Sequence, residues 1–517
     1  MKRRISVVAA LAVATAVAFV PSATTAVGTD SSQLRAAVTV ANVNTHLANF
    51  QQFGQASIPE FGHATRVDGS LGYTQSVYYV ASQLRAAGYL VTVQDFIFDR
   101  FEETAPPIFQ RTTPTTRTYV QDDDFATMDY SGSGDVTARL VPIGPIVIPS
   151  PGGSESGCAA SDFNGFPAGT IALIQRGTCP FRQKAANAQA AGAAAVVIFN
   201  EGNVDPEDDR IGTVFGTLDP PQMTLPVIGT SFAVGQELYN LIQSGATVNV
   251  RVAVAAHVVR SESSNVLADT PTGRADRTVV VGAHLDSVDA GPGVNDNGSG
   301  TAAILEVAKQ MAALRVQPTN RVRFAFWGAE EFGLLGAEHY LANLPKAELK
   351  NLMLNLNFDM VGSPNYVRFV YDGDGSATGT KGPSGSGNIE RVFLDYFASQ
   401  GLATEPTAFD GRSDYGPFID RGIPAGGLFA GAEGIKSAAE AAVYGGTAGV
   451  AYDPCYHEAC DTYPANVNST VLDQMADAIA DATLQFAMTT SSTSGTGKSS
   501  SSAQQSVGAF KGSLLRK

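Results

Sequence analysis

Beyond its first twenty residues the chain has no apolar run that could cross a bilayer, which takes about 20 consecutive apolar residues. It has no excess of positive charge either. Lys and Arg number 34 against 49 Asp and Glu, a net charge of -15. That balance argues against a nucleic-acid or anionic-membrane partner, because phosphate contacts need clustered cations. Cysteine is scarce, with four in 517 residues. The four fall into two near neighbours, Cys158 with Cys179 and Cys455 with Cys460. This clustering selects two local disulfides out of three possible connectivities. What remains is of globular composition, 44% hydrophobic and 16% charged, so a large core is expected and global disorder is not. The length predicts two or three domains.

The N-terminus does hold one apolar stretch. Lys2, Arg3 and Arg4 precede the run from residue 5 to residue 20, and small residues around Ala23 and Ala26 follow. A basic region, a short apolar core and small residues are the pattern of a secretory signal, here residues 1–26. Export would also permit the disulfides. The protein is therefore expected to be extracellular, with no membrane contact after cleavage. At the other end, residues 489–517 are rich in Ser, Thr and Gly and read as a disordered or removable tail.

Between these ends the pattern changes twice. Residues 27–115 begin with a mature N-terminus or short propeptide. Helix-like apolar spacing follows over 38–50 and 72–87, then a strand from Tyr89 to Phe96. A Pro- and Thr-rich stretch near 102–117 is expected to interrupt this start. Residues 116–257 look like an inserted module, with β-rich runs at Thr170–Gln175 and Ala194–Asn200 flanking an Ala-rich helix, Cys179–Ala195. From residue 258 to 488 near-continuous apolar runs, Arg277–Gly282, Arg321–Trp327 and Leu352–Phe358, alternate with helical segments, Ser299–Leu314 and Phe332–Leu341. Such runs are buried parallel strands in an α/β fold with helices on both faces.

Each of these three strands ends in a metal-type side chain. The first runs into His284 and Asp286, the second into Glu330 and Glu331, the third into Asp359. In open α/β sheets the carboxyl ends of the strands form the binding rim. Asp296 lies in a Gly-rich turn just before a helix, and His457 lies between Cys455 and Cys460, where a short bridge would hold it stiffly. Five such N and O donors suit two zinc ions. Asp296 would bridge them, His284 and Asp359 would complete one site, and Glu331 and His457 the other. Asp286 would orient His284 rather than bind metal. Adjacent side chains rarely point the same way, so Glu330 stays free to act as a general base. Tyr456, beside a ligand, is placed to donate to an oxyanion. Each residue alone has a plain alternative, such as a helix cap for Asp296 or a dipole-stabilising acid pair for Glu330 and Glu331. Their coincidence at consecutive strand ends does not.

The segments GAHLDSVDAGPGVNDNGSGTAA, RFAFWGAEEFGLLGAEHY, NLNFDMVGSPN, GRSDYGPFIDRGIPAGGLFAGAE and YDPCYHEACDTY resemble the secreted zinc aminopeptidases of peptidase family M28. They run in the family's order across most of 260–465. The resemblance implies two zinc ions on His284, Asp296, Glu331, Asp359 and His457. It implies Glu330 as base, Tyr456 as oxyanion donor and a Cys455–Cys460 bridge. It also implies that Glu330, Asp359 and Arg412 surround the free amine of a peptide substrate, and that large apolar N-terminal residues such as Leu are favoured. Some relatives carry calcium; Asp473 and Asp477 match part of that site, and its N-terminal acidic partner is not evident. The stretch GTIALIQRGTCPFRQKAANAQAAGAAAVVIFN resembles a protease-associated (PA) domain, which makes Cys158 and Cys179 structural. The implied fold is a three-layer α/β/α zinc-peptidase domain with a mixed, mostly parallel central sheet, plus an inserted β-rich α+β PA domain. A monomer acting on peptides or proteins with free N-termini is expected. Two other readings remain: another zinc exopeptidase or glutaminyl cyclase of the same fold, and a catalytically silent binding module, whose mark would be a missing ligand.

Overall fold

The computed structural model describes residues 29–148, 150, 153–203 and 210–490. The expected signal segment, 1–26, and all of the expected tail 489–517 except residues 489 and 490 lie outside the described residues. Among the described residues no helix is long and apolar enough to cross a membrane.

The three apolar runs form adjacent strands. Arg274–His284 lies at the centre, parallel to Asn320–Trp327 on one side and to Leu352–Phe358 on the other. Beyond Leu352–Phe358 come Ala425–Phe429, then Phe369–Tyr371 and Glu405–Thr407. Beyond Asn320–Trp327 the antiparallel strand Asn249–Asp269 follows. The sheet is thus mixed and mostly parallel, as expected. Its central strands are buried on both faces because helices cover both. Gly298–Ala313 and Ser469–Met488 lie in the main core with Val279, Val281, Phe324 and Leu354. On the opposite face Leu335–Asn343 packs Tyr340 against Trp327 and Phe418. Each fully buried aliphatic or Phe side chain in these layers contributes about 1.5–3 kcal/mol.

A second core belongs to the middle region. The strands Gly134–Pro142, Ile171–Gln175, Ala195–Phe199 and Val227–Thr230 pair in parallel, with Phe125–Thr127 antiparallel at the edge. Phe181–Ala190 and Phe232–Gln243 pack against them. The Cys158–Cys179 disulfide is formed.

One expectation fails here. The Pro- and Thr-rich stretch near 102–117 does not interrupt the first strand, which continues from Leu90 to Thr113. It pairs antiparallel with Asn249–Asp269 from Leu90 opposite Asp269 to Thr113 opposite Asn249. Register shifts fall between Glu103 and Ala105 and between Ala105 and Ile108. Pro106 and Pro107 sit within the second shift, where a missing N–H costs no ladder bond. The long strand Asn249–Asp269 pairs with the middle sheet over 249–254 and with the main sheet over 266–269. Over 255–265 its ladder partner among the described residues is Leu90–Thr113, and this ribbon packs on the main domain through Phe96 and Phe98 against Ala329, Phe332 and Leu335.

Candidate metal centre

The carboxyl ends of the central strands converge at one rim. His284 ends the central strand, Glu330 and Glu331 follow Trp327, and Asp359 follows Phe358. Asp296 reaches in from the turn before the helix Gly298–Ala313, whose N-cap Asn297 accepts from the Gly300 N–H. Gly300 has to be glycine because a Cβ there would stand 2.1 Å from the Phe358 carbonyl oxygen. His457 arrives on a loop closed by the Cys455–Cys460 disulfide. Its backbone is left-handed, φ 58°, as is Ala329 before Glu330, φ 53°. Non-glycine residues hold such conformations only where the surroundings impose them, a common feature of functional sites.

The two carboxylate oxygens of Asp296 face different histidines. Oδ1 lies 3.2 Å from His284 Nε2, and Oδ2 lies 3.1 Å from His457 Nε2. Each histidine has a second acid of its own. Asp359 Oδ1 is 3.3 Å from His284 Nε2, and Glu331 Oε2 is 3.0 Å from His457 Nε2. Glu330 points elsewhere than Glu331, with its Oε2 3.9 Å from His284 Nε2. Ligand-type atoms of His284, Asp296 and Glu331, and of His284, Glu330 and Asp359, gather within 4.8 Å of one another.

Four carboxylates thus surround two imidazoles, and all are largely buried. Burial opposes a charge on either histidine. The carboxylates outweigh it, raising His284 well above its ordinary range and His457 to about 10. Burial pushes the Glu330 carboxyl well up, and His284 only partly offsets this. Asp359 Oδ1 and Glu331 Oε1 are buried without a hydrogen-bond donor. A cluster rich in negative charge, with orphaned carboxylate oxygens between imidazole nitrogens, fits divalent cations. Binding them requires the histidines to shed their protons. The donor set of imidazole and carboxylate suits zinc.

The surrounding residues fix these groups. Asp286 accepts the backbone N–H of Glu330 at 3.3 Å and of Glu331 at 3.2 Å, and its Oδ1 is 3.5 Å from His284 Nδ1. It holds three of the converging residues at once. Ser413 donates to Asp359 Oδ2 at 2.6 Å and accepts from Asn357 at 2.8 Å. Arg412 Nη1 pairs with Glu433 at 2.7 Å, and Nη2 donates to the Tyr456 hydroxyl at 3.2 Å. The Tyr456 and His457 rings lie 3.9 Å apart by centroid. Burial pushes the Tyr456 phenol well up, against the pull of Arg412, so it stays a donor at neutral pH.

Sequence reasoning missed several buried neighbours. Arg66 is fully buried beneath the rim and donates to the carbonyls of Leu285, Pro292 and Gly293. Burial pushes its guanidinium down to about 10 while Asp286, Asp461 and Asp296 act against that. Asp68 accepts the Ala329 N–H at 3.0 Å. Asp414 is wholly buried, and neither of its oxygens has a hydrogen-bond partner. Asp473 and Asp477 lie in the first half of the helix Ser469–Met488, where Asp477 faces Arg35 at 3.9 Å. Neither belongs to a metal-type cluster among the described residues.

Comparison with known proteins decides the family. Residues 265–483 match the model of peptidase family M28, and residues 136–238 match that of the PA domain. An aminopeptidase of Pseudomonas aeruginosa is 46% identical over 436 residues, covering 84% of this chain and 79% of the relative. The chain belongs to peptidase family M28. Its relatives include leucine aminopeptidase 2 of Arthroderma otae, 39% identical over 440 residues, covering 84% of this chain and 83% of that one. Among solved structures, the aminopeptidase of Aneurinibacillus sp. strain AM-1 has a TM-score of 0.69 at 28% identity, covering 89% of this chain and 96% of that one. A zinc aminopeptidase of Bacillus subtilis has a TM-score of 0.56 at 25% identity, over 86% and 94% of the two chains. The M28 core and the PA insert anticipated from the sequence are both present.

Proposed function

We propose that this M28 member is a secreted aminopeptidase that removes N-terminal residues, chiefly large apolar ones, using two zinc ions. The observation that carries the reading is the placement of Asp296 between His284 and His457, each with its own further acid. In this reading Asp296 would be shared by both ions, His284 and Asp359 would hold one, and Glu331 and His457 would hold the other. Bound there, the ions would lower the pKa of a water molecule between them and polarise the scissile carbonyl.

The chain's own residues do the rest. Glu330 is buried and in this reading is left off both ions, so it would take the proton of the attacking water and return it to the leaving amine. The Tyr456 hydroxyl, steadied by Arg412, donates to the oxyanion of the tetrahedral intermediate. Glu330 and Asp359 offer acceptors to the substrate's free ammonium, a cation that needs partners once buried. The names of the relatives support removal of N-terminal residues, and the leucine aminopeptidase at 39% identity supports a Leu-like preference. Two disulfides and the N-terminal signal pattern support export.

The test is hydrolysis of leucyl-nitroanilide beside its N-acetylated form, with zinc counted in the purified protein. The free amine substrate should be cleaved, a strong chelator should stop the reaction, and zinc should restore it. Cleavage of the blocked substrate alone would overturn the proposal.

A further inference from the structure

Two of the ligands that face each other, Asp296 and His457, 3.1 Å apart, stand on different loops, and a buried cluster ties those loops together. Asp461 closes the disulfide loop four residues after His457. Its Oδ1 accepts the Asn295 N–H at 2.8 Å, and its Oδ2 accepts the Asp296 N–H at 2.9 Å. Asp453 opens the same loop. Its Oδ1 accepts the Cys455 N–H at 2.8 Å, and its Oδ2 accepts from the Asn295 side chain at 2.6 Å. Asn466 joins the two carboxylates, donating to both Asp453 oxygens at 2.9 and 3.0 Å and to Asp461 Oδ1 at 3.0 Å. Asn295, Asp453, Asp461 and Asn466 are 4% exposed or less, so water does not compete for these bonds.

The cost of such a cluster is high. Two carboxylates lie close together out of water, which disfavours the fold unless every oxygen is satisfied. An apolar plug would have served simple packing at less cost. What the cluster alone does is fix one loop against the other, through both ends of the His457 loop and through the backbone N–H of Asp296 itself. His284, Asp359 and Glu331 lie at or just past the ends of neighbouring strands and are steadied by Asp286 and Ser413 instead.

We infer that Asp461, with Asn466 and Asp453, is a positioning clamp that sets the gap between Asp296 and His457 and so secures the ion shared by His457 and Glu331. This rests on the two-zinc reading. The clamp acts through backbone amides and touches neither substrate nor metal.

The experiment counts zinc and measures the affinity of each ion by competition with a chromogenic chelator, in wild type and in Asp461→Asn. The substitution keeps the shape but turns one acceptor oxygen into an NH2 group facing a backbone N–H. One ion should stay near wild-type affinity while the other weakens by about 10–100-fold, the usual effect of removing support behind a ligand. Leucyl-nitroanilide turnover should return at high zinc. Asn466→Ala, which cuts the link but leaves both Asp461 contacts to the Asp296 loop, should weaken the same ion by less; it also decides the matter if Asp461→Asn does not fold. Two ions of unchanged affinity, or two ions weakened alike, would overturn the clamp. A wild-type protein that takes up fewer than two zinc ions overturns the two-ion reading, and the clamp with it.

Discussion

At the scale of the residue, the division of labour between Glu330 and Glu331 is the sharpest feature. Neighbouring in sequence, they diverge because Asp286 fixes both of their N–H groups and the left-handed Ala329 turns the chain just before them. Glu330→Gln should therefore keep its zinc content and lose roughly 10²–10⁴-fold in kcat, measured by steady-state hydrolysis beside metal analysis. Tyr456→Phe removes one donor at the oxyanion, and kcat should fall by roughly 10²-fold with little change in KM. A larger change in KM than in kcat would instead make Tyr456 a binding group. His284, Glu331 and Asp359 stood out because each lies at or just past the end of a strand that announces itself by continuous hydrophobicity, and Asp296 and His457 because a Gly-rich turn and a cysteine pair mark their loops. Arg66 and Asp461 were not. Their partners are backbone carbonyls and amides, which carry no residue signature, and they lie 219 residues before Leu285 and 165 after Asp296 respectively.

At the scale of the element, strands and helices were legible in kind and less so at their ends. The strand Leu352–Phe358 has the expected bounds, and the helix expected over 299–314 runs Gly298–Ala313. The helix expected from Phe332 starts at Leu335, because Gly333 and Leu334 are left-handed and cannot begin it. The strand expected over 89–96 runs on to Thr113, since prolines at a register shift look like a stop when the pairing strand is out of view. Between helices Val40–Ala56 and Gly298–Ala313 lies a buried polar knot with a consequence for acid stability. Burial disfavours the Glu306 carboxylate, yet hydrogen bonds from His46, Gln310 and Asn42 and the charge of Lys309 prevail, taking it down to about 2 from its usual 4.5. A folded-state value below the unfolded one contributes stability above pH 4.5 that is lost as pH falls towards 2. Glu306→Gln should cost about 3 kcal/mol at neutral pH, and that difference should shrink on acidification. Urea unfolding at pH 7 and pH 3 checks it; an equal loss at both would assign the effect to packing.

At the scale of the molecule, the two cores are joined by a pair of strands that are neighbours along their whole course. The places where the chain leaves the catalytic sheet and returns to it lie one rung apart. Asp99 stands opposite Arg260, and both are exposed. Deleting residues 100–259 and joining Asp99 to Arg260 through Asn-Gly, the preferred tight hairpin turn, should leave a unit that folds cooperatively and binds zinc. Thermal melting and metal analysis test this, and an insoluble product would show that the middle core is needed for folding. The ribbon that joins the two cores is held at both ends: Phe96 and Phe98 pack on Ala329, Phe332 and Leu335 of the catalytic unit, and Phe101 and Ala256 belong to the middle core. The middle core is therefore not hung clear of the metal rim: Tyr130 fastens it to the Asp99 carbonyl, and the next residue, Arg100, reaches the Asp68 carbonyl and lies over the Phe332 ring, so a push on the insert is passed through two adjacent residues to the chain that leads into the rim.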